Sequence, residues 1–408
     1  MHKSRSTESP RRSGPLEPHL EKFAGLLSEQ GYCKSTARNK MRLVADLSRW
    51  LEQRRIPLNQ LDEERITMFL RWRWKRLVRK SGDQCTFALL VRHLREKDII
   101  SPPSAPPLRP IDLIERDYGC FLRQERGFMS ASVGQYLPVA RRFLWHCFRD
   151  GKVRLNRLCT KDVTDFILKD SSNCGRRSAQ LMTSVLRSFL SYLFQQGKTT
   201  TNLAMAIPAT AGGRLSELPR YLEAAQVEKL LRSCDRRRKV GRRDYAVLLL
   251  LARLGLRGGE VVRLNLEDIN WTAGELLIHG KGNRIDRLPL LEDVGTALAD
   301  YLKKGRPSCL TRRVFVQSKA PYVGLADPPN AVSAIVRRTL ARAGLHPRHQ
   351  GAHLLRHSLA TNLLRRGASL VQIGQVLRHQ QTQTTEIYAK VNLNALRALA
   401  QPWPGGAQ

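Results

Sequence analysis

Apolar residues recur at three- and four-residue spacing through two long stretches of the chain, and this rhythm predicts helical bundles. The first runs GYCKSTARNKMRLVADLSRWL from Gly31, the second GFMSASVGQYLPVARRFLWHC from Gly127, an offset of 96. Tyr32/Phe128, Met41/Leu137, Val44/Ala140 and Leu47/Phe143 then coincide in apolar character. Leu61/Leu158, Ile66/Val163 and Phe69/Phe166 follow at an offset of 97. Each stretch reads as an amphipathic helix opened by Ser/Thr, a short loop, and a second helix in LDEERITMFL or LCTKDVTDFI. A solenoid needs at least three repeats, so duplication of one helical module is the reading.

The pattern changes further along. RDYAVLLLLARLGLR (243–257) is a strongly apolar helix. After it come DINW, a turn at Thr272–Gly274, ELLIH, a turn at Gly280–Asn283, and RIDRLPL, which predict three short strands. From Ala352 the rhythm is helical again. Gly367 serves as a C-cap, Ser369 as an N-cap, and Leu370, Ile373, Val376 and Leu377 form one apolar face. The fold class is mainly α with a small antiparallel β-sheet, in several domains.

Three breaks set the boundaries. Residues 1–17 are basic and Ser/Pro-rich and read as a disordered tail. SPPSAPPLRP (101–110) is half proline, and 198–217 is rich in Thr, Ala and Gly. Helical modules at 18–100 and 111–197, an α/β block at 218–400 and a tail at 401–408 result.

Charge now narrows the function. Of 408 residues, 70 are Lys or Arg against 35 Asp or Glu, a net charge of +35. Such a field calls for a polyanionic partner, with nucleic acid ahead of an anionic membrane. RRRKVGRR (236–243) places Arg236, Arg237, Arg238, Lys239, Arg242 and Arg243 for DNA backbone contacts. RWRWKRLVRK (71–80) adds six more charges, interleaved with Trp72 and Trp74. No window approaches 18 uncharged apolar residues, and no apolar run follows the N-terminal charges, so a membrane span and a secretory signal are not expected. The eight cysteines never form CxxC and read as the reduced thiols of a cytoplasmic protein.

The chemistry concentrates in the third block: Arg257 in LGLRGGE, Lys281 in HGKGNR, His353 and Arg356 in HLLRH, His379 in LRHQ, and Tyr388 in TTEIY, spaced by 24, 72, 3, 23 and 9 residues. Breaking a phosphodiester needs positive charge on the non-bridging oxygens, and the fork-shaped guanidinium suits that. Arg257 and Arg356 would cradle the phosphate, Tyr388 would attack it, and His353 would accept the tyrosine proton. His379 would donate to the phosphate, and Lys281, on a glycine-flanked hairpin tip, would protonate the leaving 5′ oxygen. The His353/His357 pair lacks an HExxH glutamate, and Gly274…Gly280-Lys281 lacks P-loop spacing.

Over 111–400 the sequence resembles the tyrosine recombinase (phage integrase) family, with all six positions filled in order. Arg378 departs from it, because the family usually has glycine before this histidine, and the departure bears on the local turn. The resemblance implies a helical core-binding domain and a catalytic domain clamped around double-stranded DNA. It implies strand exchange through a 3′-phosphotyrosyl intermediate and a homotetramer, or sister recombinases, on two sites. It implies no metal and no other cofactor. A mobile-element integrase fits best, with the LNALRALAQ segment (392–401) as a protomer contact. The module at 18–100 reads as an extra core-binding-like copy. A type IB topoisomerase shares the chemistry, but the chain beyond Tyr388 and the contexts HLLRH and TTEIY favour a recombinase.

Overall fold

The computed structural model describes residues 14–76, 78, 82–102, 108–149, 152–172, 175–208, 220–280, 284–325, 330–379, 381 and 384–391. Lys281, the segment 392–401 and the tail 401–408 lie outside the described residues. Two compact units are present, one built from 1–103 with 218–408 and the other from 104–217.

Both helical modules carry the same succession of elements. In the first, α1 (Glu17–Glu29), α2 (Lys34–Gln53), α3 (Glu63–Trp74) and α4 (Gly82–Glu96) close around Phe23, Leu47, Trp50, Phe69 and Phe87. In the second, α5 (Pro110–Gln124), α6 (Ser130–Cys147), α7 (Thr160–Ser171) and α8 (Arg176–Gln195) close around Tyr118, Phe143, Phe166 and Phe189. A 3-10 turn precedes the third helix of each, at Leu58–Gln60 and Leu155–Arg157. The aligned pairs Val44/Ala140, Leu47/Phe143, Leu61/Leu158, Ile66/Val163 and Phe69/Phe166 are buried in both. Gly31 and Gly127 open the matched stretches with φ of +79° and +62°, in the left-handed region that glycine enters without a Cβ penalty. At Gly31 the absent Cβ also makes room for the Tyr322 ring, and Gln30 O accepts from the Tyr322 N–H at 3.1 Å.

Two expectations need correction. Residues 14–17 do not belong to a disordered tail, because Leu16 is fully buried and its N–H donates to Ser48 Oγ at 3.1 Å. The segment 198–217 is not linker throughout, since Leu203, Ala204 and Ile207 bury into the second core. Among the described residues of 71–80, Trp72 and Trp74 pack on the first core. Trp74 Nε1 donates to Asp83 at 3.3 Å.

The third block begins with α9 (Ala224–Arg232) and α10 (Lys239–Arg253). Ala246 through Ala252 are all buried, so the second half of α10 is enclosed on every side and forms the axis of the core, while its first turns keep an exposed face. The short α11 (Gly258–Arg263) leads into β1 (Ile269–Asn270), β2 (Glu275–His279) and β3 (Ile285–Pro289), an antiparallel sheet in chain order. Leu276 and Ile278 alternate inward from β2, as the two-residue period requires. Then follow α12 (Glu292–Asp300), α13 (Asn330–Arg342), α14 (His353–Arg365) and α15 (Leu370–Leu377), closed by a 3-10 segment Glu386–Val391. Gly367 takes φ +90° just past α14, and Ser369 Oγ caps α15 by accepting from Gln372 N at 3.2 Å. Ile373 and Leu377 are buried, but Val376 is not part of that face and stands exposed. No helix among the described residues is long and apolar enough to cross a membrane.

Candidate active site

Residues far apart in sequence converge where the start of α11, the β2–β3 hairpin, α14 and the end of α15 meet. Arg257 is the N-cap residue of α11, so the turn that starts the helix also aims its side chain. Its backbone N–H and its Nη1 both donate to the Glu260 carboxylate, each at 2.8 Å. Glu260 is almost fully enclosed, with a side chain 2% exposed, and it also accepts from Arg378 Nη2 at 2.8 Å. Burial alone would raise its pKa. The Arg257 backbone bond and the charges of Arg378 and Arg257 outweigh burial and hold the carboxyl below its ordinary value.

Arg356 is buried within α14 and donates to two backbone carbonyls, Nη1 to Gly255 O and Nη2 to Leu377 O. Gly255 sits at φ +59°, and a Cβ there would lie 2.7 Å from Leu377 Cδ2, so the close approach of this loop to α15 needs glycine. Burial, then the charges of Arg257 and Arg378, lower the Arg356 pKa to about 10, which leaves it charged at neutrality.

Arg378 resolves the question of the local turn. It ends α15 in the left-handed conformation, φ +54° and ψ +47°. Its N–H donates to Gln375 O at 3.0 Å and the His379 N–H to Gly374 O at 2.9 Å, the paired bonds of a Schellman cap. The turn that favours glycine is therefore present with an arginine in it, at a cost of about 1–2 kcal/mol in backbone strain.

His379 lies next in the chain, with Nδ1 2.8 Å from the buried Thr385 hydroxyl. Burial, then the charges of Arg356 and Arg257, bring its pKa down to about 4, so the ring is neutral at pH 7. Arg257, Arg284, Asp286, Arg378 and His379 line one cavity of about 520 Å³.

Tyr388 is fully buried in a small cluster with Leu364, Ile373 and Leu377. Burial pushes its hydroxyl up to about 12, against a lowering by Arg356, so the phenol stays protonated. Its partner is His357 Nδ1, at 2.8 Å, and not His353. The His353 and His357 rings are 6.3 Å apart, with His353 exposed at the first turn of α14. Burial, then the charges of His353 and Arg356, lower the His357 pKa to about 4, so this ring too is neutral and can accept a proton.

The basic stretch 236–243 divides. Arg236, Arg237, Arg238 and Lys239 are exposed, with Arg236 over the Tyr245 ring. Arg242 is half-buried and donates to Asp300 Oδ2 at 2.9 Å. Arg243 does not belong with a DNA-facing set. It is buried, donates to Asp244 Oδ1 at 2.8 and 3.1 Å, and reaches Val316 O at 3.1 Å. Its place on α10 turns it into the core, where an unpaired guanidinium would be costly.

Glu260, His357 and Thr385 were not singled out as site residues in the sequence. Glu260 stands three residues after Arg257 at a helix start, the spacing of a residue that reaches back to the N-cap. His357 lies one turn after His353 on α14.

A family model described as "Phage integrase family" matches residues 220–394. The putative integrase/recombinase y4rA of Sinorhizobium fredii is 43% identical over 397 residues, covering 97% of this chain and 96% of the relative. Among solved structures, XerH site-specific recombinase bound to palindromic difH substrate, a post-cleavage complex, aligns with TM-score 0.53 at 20% identity. The match covers 85% of this chain and 99% of that one. A lambda integrase(75-356) dimer bound to a COC′ core site aligns with TM-score 0.52 at 18% identity, covering 72% and 98%.

Proposed function

The chain belongs to the phage integrase family of tyrosine recombinases, and from that premise we propose that it cuts and rejoins double-stranded DNA through a 3′-phosphotyrosyl link to Tyr388. The observation that carries this reading is the gathering of the Arg257, Arg356 and Arg378 guanidiniums beside a tyrosine whose hydroxyl already meets a neutral imidazole. Arginines supply the charge that a phosphoryl transition state needs.

In the proposed step the Tyr388 oxygen bonds to phosphorus and the P–O5′ bond breaks. The tyrosine proton passes to His357, with His353 next to it, and the 5′ oxygen takes a proton from Lys281. His379, with Nδ1 engaged by Thr385, leaves its other ring nitrogen for a phosphate oxygen. Attack by the free 5′ hydroxyl of a second strand reverses the step and rejoins the DNA. Because each bond broken is matched by one formed, no nucleotide hydrolysis is required, and the arginines supply the positive charge that a metal gives other nucleases. We further propose work as a homotetramer, or with sister recombinases, on two sites, in the service of a mobile element. The exposed Arg236, Arg237, Arg238 and Lys239 would contact backbone phosphates.

The test is covalent trapping on a library of nicked duplexes with randomised flanks, in which the protein itself selects its target. Wild-type protein should yield adducts that survive denaturing gels, and sequencing them reports the site. Tyr388→Phe should keep its DNA affinity and yield none. Adducts persisting in Tyr388→Phe would refute the assignment of the nucleophile.

A further inference from the structure

Arg378 occupies a position where backbone geometry favours glycine, and its side chain is not wasted on the surface. The side chain is 8% exposed and forms part of the wall of the cavity that Arg257 and His379 also line. Nη2 is held by Glu260 at 2.8 Å, which fixes the plane of the fork. Nε is 3.6 Å from Asp286 Oδ2, beyond hydrogen-bond reach, and neither Nε nor Nη1 has a hydrogen-bond partner among the described residues. Buried charged donors without acceptors are rare, because each forfeits hydration for nothing in return. Here the strain of the left-handed turn and the unmatched donors fall on one residue beside the phosphate-binding arginines.

The charge balance says what such a residue is for. Around the cavity four guanidiniums, from Arg257, Arg284, Arg356 and Arg378, face two carboxylates, Glu260 and Asp286. Two excess positive charges remain, and glycine at 378 would halve that excess. The histidines add none at neutrality, since burial keeps His357 and His379 uncharged.

We propose that Arg378 is a third guanidinium of the phosphate site, oriented by Glu260 and donating through Nη1 and Nε to a non-bridging oxygen of the scissile phosphate. The assignment rests on the strand-cleavage reading above. It adds a residue that the Arg–Lys–His–Arg–His–Tyr set leaves out, and it gives the departure from glycine a chemical purpose.

Arg378→Gly is the informative variant, because glycine suits the turn and the Schellman cap survives. The substrates are the trapped sequence with an ordinary phosphate at the cleavage position and the same duplex with a methylphosphonate there, which lacks one negative charge. On the phosphate duplex, Arg378→Gly should form adducts roughly 10²–10³-fold more slowly than wild type, the usual loss on removing one donor to a developing oxyanion. On the methylphosphonate duplex the deficit should shrink below about tenfold, since less charge needs neutralising. A rate close to wild type on the phosphate duplex, or an equal deficit on both, would overturn the proposal. Adding Arg378→Gly to Tyr388→Phe reads binding alone, on the same pair of duplexes or on pooled nicked DNA with each linkage. The preference for phosphate over methylphosphonate should fall, and an unchanged preference counts against Arg378 whether or not any strand is cut. Failure of the cleavage reading has a different signature, the absence of Tyr388-dependent adducts in wild-type protein.

Discussion

Glu260 is the keystone of the site, and its removal has a size that can be worked from the structure. Its carboxylate accepts three donors at 2.8 Å, the Arg257 N–H, Arg257 Nη1 and Arg378 Nη2, while its side chain is 2% exposed. Taking away one member of a buried ion pair costs about 3–5 kcal/mol, because the partner is left buried and uncompensated. Here two guanidiniums lose their anchor, and Arg378 keeps only the long approach to Asp286. Glu260→Ala should therefore cost about 3–5 kcal/mol, and Glu260→Gln somewhat less, since an amide oxygen still accepts one bond. Global unfolding is a poor readout in a chain with several cores, so the measurement is local. Hydrogen–deuterium exchange across α14 and α15 should quicken by roughly 10²- to 10⁴-fold in Glu260→Ala, provided those helices open as a unit. Duplex DNA should slow the exchange of the variant more than that of wild type, because phosphates replace the missing anion. Protection within about threefold of wild type in Glu260→Ala would show that Glu260 does not organise the arginines.

Arg243 and Arg238 should separate cleanly despite lying in one basic run. Arg243→Ala should lower stability by about 3 kcal/mol, because the buried Asp244 keeps only the 3.8 Å approach of Arg338. Arg238→Ala should leave stability unchanged and reduce the salt slope of DNA binding by roughly 0.9, and the reverse pattern in denaturation and salt titration would contradict the assignment. Acid should weaken the catalytic unit between pH 6.5 and 4. Both His357 and His379 have folded-state pKa values lowered by burial to about 4, so their contribution is intact above pH 6.5 and is lost as pH falls through the folded value. His357→Phe should flatten that part of the pH–stability profile, measured by local exchange, and a profile as steep as wild type would locate the proton elsewhere.

Periodicity disclosed the helices and the sheet because burial is recorded in spacing. Leu276 and Ile278 had to face one way, and the paired Leu47/Phe143 and Phe69/Phe166 had to be inside in both modules. What spacing could not disclose is direction around the helix axis when charge density is high. Arg243 and Arg238 look alike in RRRKVGRR, yet the one belongs to the apolar side of α10 and the other caps its exposed end. The same holds for the proton acceptor. His353 and His357 are one turn apart on α14, and only the packing of the 3-10 segment against α14 and α15 decides that Tyr388 meets His357. Glycine's absence at 378 was legible as a departure. Its consequence was not, because a left-handed arginine can point to solvent or inward, and the choice depends on Glu260, 118 residues earlier.

The same carboxylates decide how the site should respond to divalent ions. A metal that activates a phosphoryl group is normally held by carboxylates free to coordinate it. Of the two beside this cavity, Glu260 is saturated by arginine donors and Asp286 faces the Arg378 guanidinium at 3.6 Å. Recruiting either as a ligand would strip an arginine of its counter-charge while adding two positive charges to a cluster that already lowers the Arg356 pKa. Repulsion among like charges at such spacing is several kcal/mol at an effective dielectric near 20. The arginines and a metal are thus competing solutions to one electrostatic problem, and the described residues are arranged for the first. Adduct formation should therefore run at an unchanged rate in excess chelator, measured on the trapped duplex after dialysis of the protein. Added magnesium should act only by screening, slowing binding as an equal ionic strength of sodium does. Loss of cleavage in chelator, restored by magnesium or zinc at constant ionic strength, would mean that Glu260 or Asp286 gives up its arginine to a cation, and the guanidinium mechanism would fall with it.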